Sequence, residues 1–311
     1  MPPVAAESHT GAPVLYPATV APDQSCVSAE DAAVSVGDPV AVSGDESYAA
    51  VRRAVSGAAT AAANRSWWDA EADDYYIEHG AFLGDAGFVW GPEGWTEEQL
   101  DLLAARPGQR LLEIGAGAAQ CGRWLVDQRG VTVVSSDISA GMLRVGARIS
   151  RARGIRLPLV QCDATALPFA EASFDTVFTS YGAVPFVADS GRLMREAARV
   201  LRPGGRFVFS TTHPIRWAFP DEPGPAGLTA ALSYFDRTPY AETDAGGTLT
   251  YAEHHRTLGD RVREIVAAGL VLVDLVEPEW PDGNDQTWGG WSPLRGAHLP
   301  GTAIFVTRKP A

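Results

Sequence analysis

The sequence predicts an α/β fold built on an open, mostly parallel sheet, and three observations carry that prediction. Short apolar runs alternate with amphipathic segments from Arg110 onward, the first run ends in a Gly-Ala-Gly turn, and acids stand at or just past the ends of the next two runs. In such a sheet ligands lie outside the carboxyl ends of the strands. At 311 residues with 46% hydrophobic content the chain has material for a large core.

Residues 1 to about 45 are rich in Pro, Ala, Ser and Gly without a sustained period, and read as a disordered acidic tail. Residues 46–106 read as an N-terminal helical cap. Helical character is expected from about Glu46 to Asn64 and again through SWWDAEADDYYIEHG. There Trp67, Glu71, Tyr75 and His79 recur every four residues, near one face of a helix. These aromatic residues are either packing anchors or a cover over a bound ligand. Thr96-Glu97-Glu98-Gln99 has the form of a capping box and opens another helix, which should end before Pro107.

RLLEIGAGAAQCGRW, from Arg110 to Trp124, reads as strand, tight turn and helix. Gly115 and Gly117 lack a Cβ, so the turn can take positive φ and lie against a ligand while the helix start offers free N–H groups. A dinucleotide fingerprint needs glycine where Gln120 stands, which weakens a pyrophosphate reading. The next strand ends at Asp137, 22 residues past Gly115, where a carboxylate can accept both hydroxyls of a ribose or, alternatively, cap a helix. A helix from Ser139 to about Arg153 follows, with Met142 one turn in. LPLVQCDATALPF supplies a third strand and Asp163, and FDTVFTSYG a fourth strand ending at Ser180 and Tyr181. GRLMREAARVLRPGGRFVFSTTHP then reads as helix, Pro-Gly-Gly turn and fifth strand, with His213 just beyond.

An insertion over about 214–257, rich in Pro, Gly and aromatic residues, reads as a lid or substrate platform. TLTYAEHH alternates like a short strand, with SYFDR as its candidate partner. A helix through DRVREIVAAG, the strand LVLVDLVEP, a loop holding Trp280, Trp288 and Trp291, and the last strand TAIFVTRK complete the chain.

Glu113-x-Gly115-x-Gly117 resembles motif I of the class I methyltransferases that use S-adenosylmethionine. With D-A-T-A-L-P-F, Phe174-Asp175-x-Val177 and L-R-P-G-G following in order, residues 107 to 213 are similar to that family, specifically its small-molecule UbiE-like, type 11 members; 258 to 308 are similar more loosely. The resemblance implies a Rossmann-like sheet over 107–311, mostly parallel with one antiparallel strand and helices on both faces. It also implies S-adenosyl-L-methionine as cofactor and S-adenosyl-L-homocysteine as product. Carried over residue by residue, Glu113, Gly115, Ala116 and Gly117 form the cofactor turn, Asp137 and Ile138 meet the ribose, and Met142 covers the adenine. Asp163 would accept from the adenine amino group, the Ala164 N–H would meet the ring, Ser180 would stand near the methyl group, and the Tyr75 hydroxyl would reach the methionine carboxylate. Ala119 stands where a third glycine is frequent; a small residue still fits.

Methyl transfer from a sulfonium asks the protein mostly to orient the acceptor, exclude water and, where needed, remove a proton. His213 is the candidate base, with a capped loop histidine as its other role, and Tyr181 is the second candidate. His79, Trp217, Phe219, Trp288 and Trp291 are candidates to stack on an acceptor or, alternatively, to close the loops on each other. No metal is expected, because the side chains of His254 and His255 point apart on a strand and no second cluster completes a site.

A formal charge of −13 argues against nucleic acid as partner. Lys309, the only lysine, leaves no P-loop and no lysine Schiff base. Cys26, Cys121 and Cys162 are scattered, which argues against a disulfide framework. No run approaches membrane-spanning length and the first 51 residues hold no Lys or Arg, so a cytoplasmic location and a soluble partner, a small molecule, are expected; the oligomeric state stays open. The expectation is methyl transfer from S-adenosylmethionine to a small aromatic or heteroaromatic acceptor in specialised metabolism, at carbon, oxygen or nitrogen. A nicotinamide-dependent oxidoreductase and a non-catalytic S-adenosylmethionine-binding protein are the alternatives.

Overall fold

Alternating apolar runs pair as a seven-stranded sheet in the computed structural model, which describes residues 49–311; the tail read over 1–45 lies outside the described residues. In chain order the elements are β1 (Ala49–Arg52), α1 (Gly57–Leu83), α2 (Glu97–Leu100), β2 (Arg110–Ile114), α3 (Gln120–Arg129), β3 (Thr132–Asp137), α4 (Ala140–Ala152) and β4 (Leu159–Gln161). They continue with β5 (Phe174–Ser180), α5 (Ser190–Val200), β6 (Leu201–Thr212), β7 (Tyr240–Thr243), β8 (Leu249–Glu253), α6 (Leu258–Ala267), β9 (Val271–Val276), α7 (Pro293–Gly296) and β10 (Thr302–Arg308).

The large sheet runs β4-β3-β2-β5-β6-β10-β9. Its first five strands are parallel, and β10 lies antiparallel between β6 and β9. This is the Rossmann-like sheet with one antiparallel strand that the sequence predicts. Both faces are covered, which is why the central strands read as continuous apolar runs. Leu112, Ile114, Val177, Phe207, Phe209 and Phe305 bury one face. Leu111, Val133, Phe178, Val208 and Ile304 bury the other, so the side-chain period of two assigns neighbouring residues to opposite cores. Phe209 stacks on Phe207 at 5.2 Å and on Phe305 at 4.7 Å, contacts that add about 0.5–1.5 kcal/mol each beyond their burial. No helix among the described residues is long and apolar enough to cross a membrane.

Two local expectations are corrected, and a third element, which ends before Pro107 as expected, is only one turn long. The helix expected from Glu46 starts at Gly57, capped by the Ser56 hydroxyl, and Ala49–Arg52 is instead a strand paired antiparallel to β7. Alanine's helical preference is a weak prior, and strand pairing overrides it here. The partner of β8 is β7, not SYFDR. Ser233 to Asp236 closes a turn, and the Tyr234 hydroxyl accepts from the Leu258 N–H at the start of α6 (2.8 Å). The helix opened by Thr96 stops at Leu100 after one turn. The buried Glu97 carboxylate accepts from the Leu102 and Leu103 N–H groups and the Trp90 indole, drawing the chain off the helical path. Burial pushes this carboxyl up to about 7.

α1 is held over the carboxyl edge of the sheet by polar pins. Asp69 Oδ1 accepts from the Ser139 hydroxyl and the Gly141 N–H, both at 2.7 Å, where α4 begins. Gly141 permits this approach, since a Cβ there would lie 2.7 Å from the Asp69 carbonyl oxygen. Asn64 donates to the Phe186 and Ala252 carbonyls and accepts from the Ala252 N–H, tying α1 to β8. Asp69→Ala should cost about 1–2 kcal/mol, a fall in Tm of about 3–6 °C, because two donors at a helix start lose their acceptor. An unchanged thermal midpoint would mean that α1 is held without this pin.

Candidate functional site

The carboxyl ends of β4, β3, β2, β5 and β6 open into one cavity of about 350 Å³, covered by α1 and by the 288–291 loop. At its centre Gly115 (φ 63°) and Gly117 (φ 52°) adopt the left-handed backbone that their lack of a Cβ permits. A Cβ at Gly117 would meet nothing within 4 Å, so this is where a ligand can lie against the chain. Gly115 has no such space: a Cβ there would come 2.7 Å from the Gly182 carbonyl carbon. Ala119, where a third glycine is frequent, is also left-handed (φ 60°), at a cost of about 1 kcal/mol.

Asp137 holds the turn from the next strand. Its Oδ2 accepts from the Gly117 N–H and its Oδ1 from the Ser139 N–H, both at 2.8 Å. Each oxygen keeps a lone pair for a further donor. Burial raises its pKa, and the bonds from Ser139 and Gly117 work against the rise. Glu113 lies behind the turn. Its carboxylate accepts from the Ser135 hydroxyl and the Gly122 N–H, binding β2, β3 and α3 together, and burial pushes it up to about 7.

Toward β4 the cavity is lined by Ile138, Met142, Cys162, Asp163 and Ala164. Asp163 Oδ1 is taken by the Thr165 N–H and hydroxyl, at 2.7 and 2.8 Å; the hydrogen bonds among the described residues leave its Oδ2 free. Two carboxylates, a methionine and a bare backbone turn therefore surround a space in which an adenine and a ribose find acceptors for their amino and hydroxyl groups. This set of acceptors fits an adenosine.

Ser180 lines the cavity and donates to the Val89 carbonyl, 2.6 Å away, anchoring the cap loop to the end of β5. Tyr181 lines it too, in a left-handed conformation (φ 64°), with its N–H on the Ser210 hydroxyl. Burial, reinforced by nearby Glu93, holds the Tyr181 phenol far above its usual range. Its hydroxyl accepts from that of Thr212 at 3.4 Å. Among the cap residues Tyr75 and Tyr76 both reach the cavity, but Asp85 takes the Tyr76 hydroxyl, whereas no hydrogen bond among the described residues takes that of Tyr75.

Several expected site residues lie elsewhere. His213 does not line the cavity. Its Nδ1 accepts from the Ile215 N–H (3.1 Å), so Nε2 carries the proton and donates to Glu277 (2.8 Å). Burial lowers its pKa, partly offset by Glu277. This is a loop-capping histidine with both nitrogens engaged. Trp217 is buried against His255 and Arg52, and neither it nor Phe219 lines the cavity. His79 stacks on Trp288 from behind (4.3 Å, 13°), so it positions that ring without lining the cavity itself. Trp288 and Trp291 do line it.

The cavity is also lined by residues that the sequence reading did not single out. Trp68, Phe186, Tyr251 and Glu253 join Trp288 and Trp291 there, with Arg216 paired to Asp221 at 2.6 Å. The Arg216 guanidinium lies 5.6 Å from the Trp217 ring and 5.8 Å from that of Trp291. One signal was available: Tyr251 and Glu253 alternate on one face of a short strand. His254 and His255 go to separate partners, the Thr60 hydroxyl and the Tyr234 carbonyl, and burial pushes both down to about 4. Among the described residues no three His, Cys, Asp or Glu side chains gather as around a metal ion.

A family model described as a methyltransferase domain matches residues 112–209. The demethylmenaquinone methyltransferase of Beutenbergia cavernae is 43% identical over 124 residues, 40% of this chain and 49% of that protein. The chain thus spans about half the length of the curated relatives it matches. The S-adenosylmethionine-dependent methyltransferase of Mesorhizobium loti, 27% identical, aligns with a TM-score of 0.54 over 70% of this chain and 100% of its own. At 20% identity the 1,6-didemethyltoxoflavin-N1-methyltransferase of Burkholderia thailandensis, solved with 1,6-didemethyltoxoflavin and S-adenosylhomocysteine, shares the fold (TM-score 0.55; 88% of this chain, 100% of its own).

Proposed function

We propose, on the premise that residues 112–209 form a class I S-adenosylmethionine-dependent methyltransferase domain, that the chain transfers a methyl group to a small, flat, aromatic or heteroaromatic acceptor. One observation carries the reading. One cavity is lined by Asp137 and Asp163, by the Gly115–Gly117 turn and by the rings of Trp68, Tyr75, Phe186, Tyr251, Trp288 and Trp291. The carboxylates offer acceptors for an adenosine; the rings offer flat apolar faces with few polar groups, the usual build of a small-molecule site.

S-adenosylmethionine supplies a methyl group already activated on sulfur, so the chain's work is placement. Asp137 receives ribose hydroxyls, Asp163 and the Ala164 N–H read the adenine edge, Met142 and Ile138 cover its faces, and Tyr75 meets the amino-acid end. Trp288, held by His79, and Trp291 keep water from the acceptor. The net charge of −13 disfavours a nucleic-acid acceptor, and a cytoplasmic enzyme of specialised metabolism is the setting we assign. Demethylmenaquinone and 1,6-didemethyltoxoflavin, for which two of the similar proteins are named, are small molecules, which supports an acceptor of that class.

Calorimetric titration with S-adenosylmethionine, S-adenosylhomocysteine and both nicotinamide cofactors tests the reading. Micromolar binding of the two sulfur nucleotides alone is expected. Binding of a nicotinamide instead would overturn it, and a sulfur nucleotide held without turnover of any acceptor would favour a binding protein.

A further inference from the structure

We infer that Glu253, braced by Tyr251, is the general base and the donor-reading group of the acceptor chamber, so that the acceptor carries an N–H or O–H at the atom that is methylated. The inference rests on the reading above and narrows its acceptor. Glu253 ends β8 and lines the cavity together with Tyr251, two residues earlier on the same face. Its Oε1 accepts from the Tyr251 hydroxyl at 2.7 Å, and no hydrogen bond among the described residues engages its Oε2.

The charges facing Glu253 come from three elements. Arg216, in the 3-10 turn after β6, is the one cation lining the cavity among the described residues, and it is paired with Asp221. Glu242 of β7 takes the Tyr240 hydroxyl at 2.7 Å. Glu253 itself has a single phenol and no ion pair of its own. Burial, with Asp221 and Glu242 nearby, raises its pKa against the pull of Arg216. A carboxylate oxygen with no protein partner among the described residues, at the wall of an aromatic slot, calls for a donor from the ligand, and an elevated proton affinity suits a base. Among the described residues that line the cavity, burial holds the Tyr181 phenol far above its usual range, Asp221 is tied to Arg216, and Asp137 and Asp163 stand where the adenosine is proposed to lie, while His213 lies outside the cavity.

The step balances without another reactant. The acceptor heteroatom attacks the methyl carbon, the carbon–sulfur electron pair stays on sulfur, and the heteroatom's proton passes to Glu253 Oε2 and then to water. A ring carbon would also release a proton after methyl transfer, but it offers no N–H or O–H for Glu253 to read in the bound acceptor, so the preference for a donor is what separates the two cases.

Paired probes test it: phenol against anisole, and indole against N-methylindole, followed by ligand-observed NMR with and without S-adenosylhomocysteine. Each pair shares its ring and differs in the donor. The wild type should prefer the donor-bearing member about tenfold, the worth of one hydrogen bond to a charged acceptor. Glu253→Gln should shrink that ratio to about twofold while S-adenosylhomocysteine affinity, which reports an intact site, is unchanged. With a turned-over acceptor, Glu253→Gln should lower kcat about a hundredfold with a smaller change in KM and abolish the acidic limb of the kcat profile, Glu253→Asp restoring part of both. A ratio near one in the wild type, or one unmoved by Glu253→Gln, overturns the inference. Failure of S-adenosylhomocysteine to bind the wild type would instead overturn the methyltransferase reading, and the probe ratio would still decide Glu253.

Discussion

Asp137→Ala should weaken S-adenosylmethionine and S-adenosylhomocysteine binding about a hundredfold to a thousandfold, as the loss of two charge-assisted hydrogen bonds implies. The carboxylate does two jobs at once. It accepts from the Gly117 and Ser139 N–H groups, which keeps the glycine turn against the start of α4, and it lines the cavity with lone pairs to spare for the ribose hydroxyls proposed to bind there. Alanine removes the ligand contacts and releases two buried donors. Calorimetry reads the first effect, and a fall in Tm without ligand reads the second. Affinity within about threefold of wild type would remove Asp137 from the site, because even one lost hydrogen bond of this kind is worth more.

Gly182→Ala should destabilise the fold by about 3 kcal/mol, the upper range of overpacking, and lower Tm by about 6–12 °C. The added Cβ would lie within van der Waals contact of the Gly115 carbonyl oxygen and 2.9 Å from its carbonyl carbon. Gly182 is not in the left-handed region, so the whole cost is steric. Relief requires moving apart the ends of β2 and β5, strands paired from Leu111 with Thr176 to Glu113 with Phe178. The cofactor turn then shifts, and S-adenosylhomocysteine affinity should fall with stability. A variant melting within about 2 °C of wild type would show that the two turns yield more easily than packed backbone usually does.

The parts of this molecule written locally were legible. A run such as Leu111, Leu112 and Ile114 is apolar on both faces because both faces are covered, and the glycine turn and Asp137 sit where strand ends meet a helix start. What depends on distant partners was not. His213 stands just past the end of β6, as its position suggests, but Glu277 turns its ring away from the cavity. Tyr75 and His79 share a helix face as their spacing implies, yet His79's partner is Trp288, on a loop that no helical period could forecast. Arg216 and Glu253 acquire meaning only when the lid folds over α1 and Asn64 takes the backbone of Ala252. Ala49–Arg52 looked helical because nothing within ten residues of it announces β7.

That last pairing has a consequence for timing. β1 is four residues long and meets β7 across 194 residues of chain, so the entropy of closing that span is met only after the central sheet exists. The small sheet β1-β7-β8 is accordingly among the last structures to assemble and among the first to open. Because β8 ends in Glu253, the end of the cavity proposed to read the acceptor is completed by a small, late-closing sheet, and amide exchange in Ala49–Arg52 should report its opening.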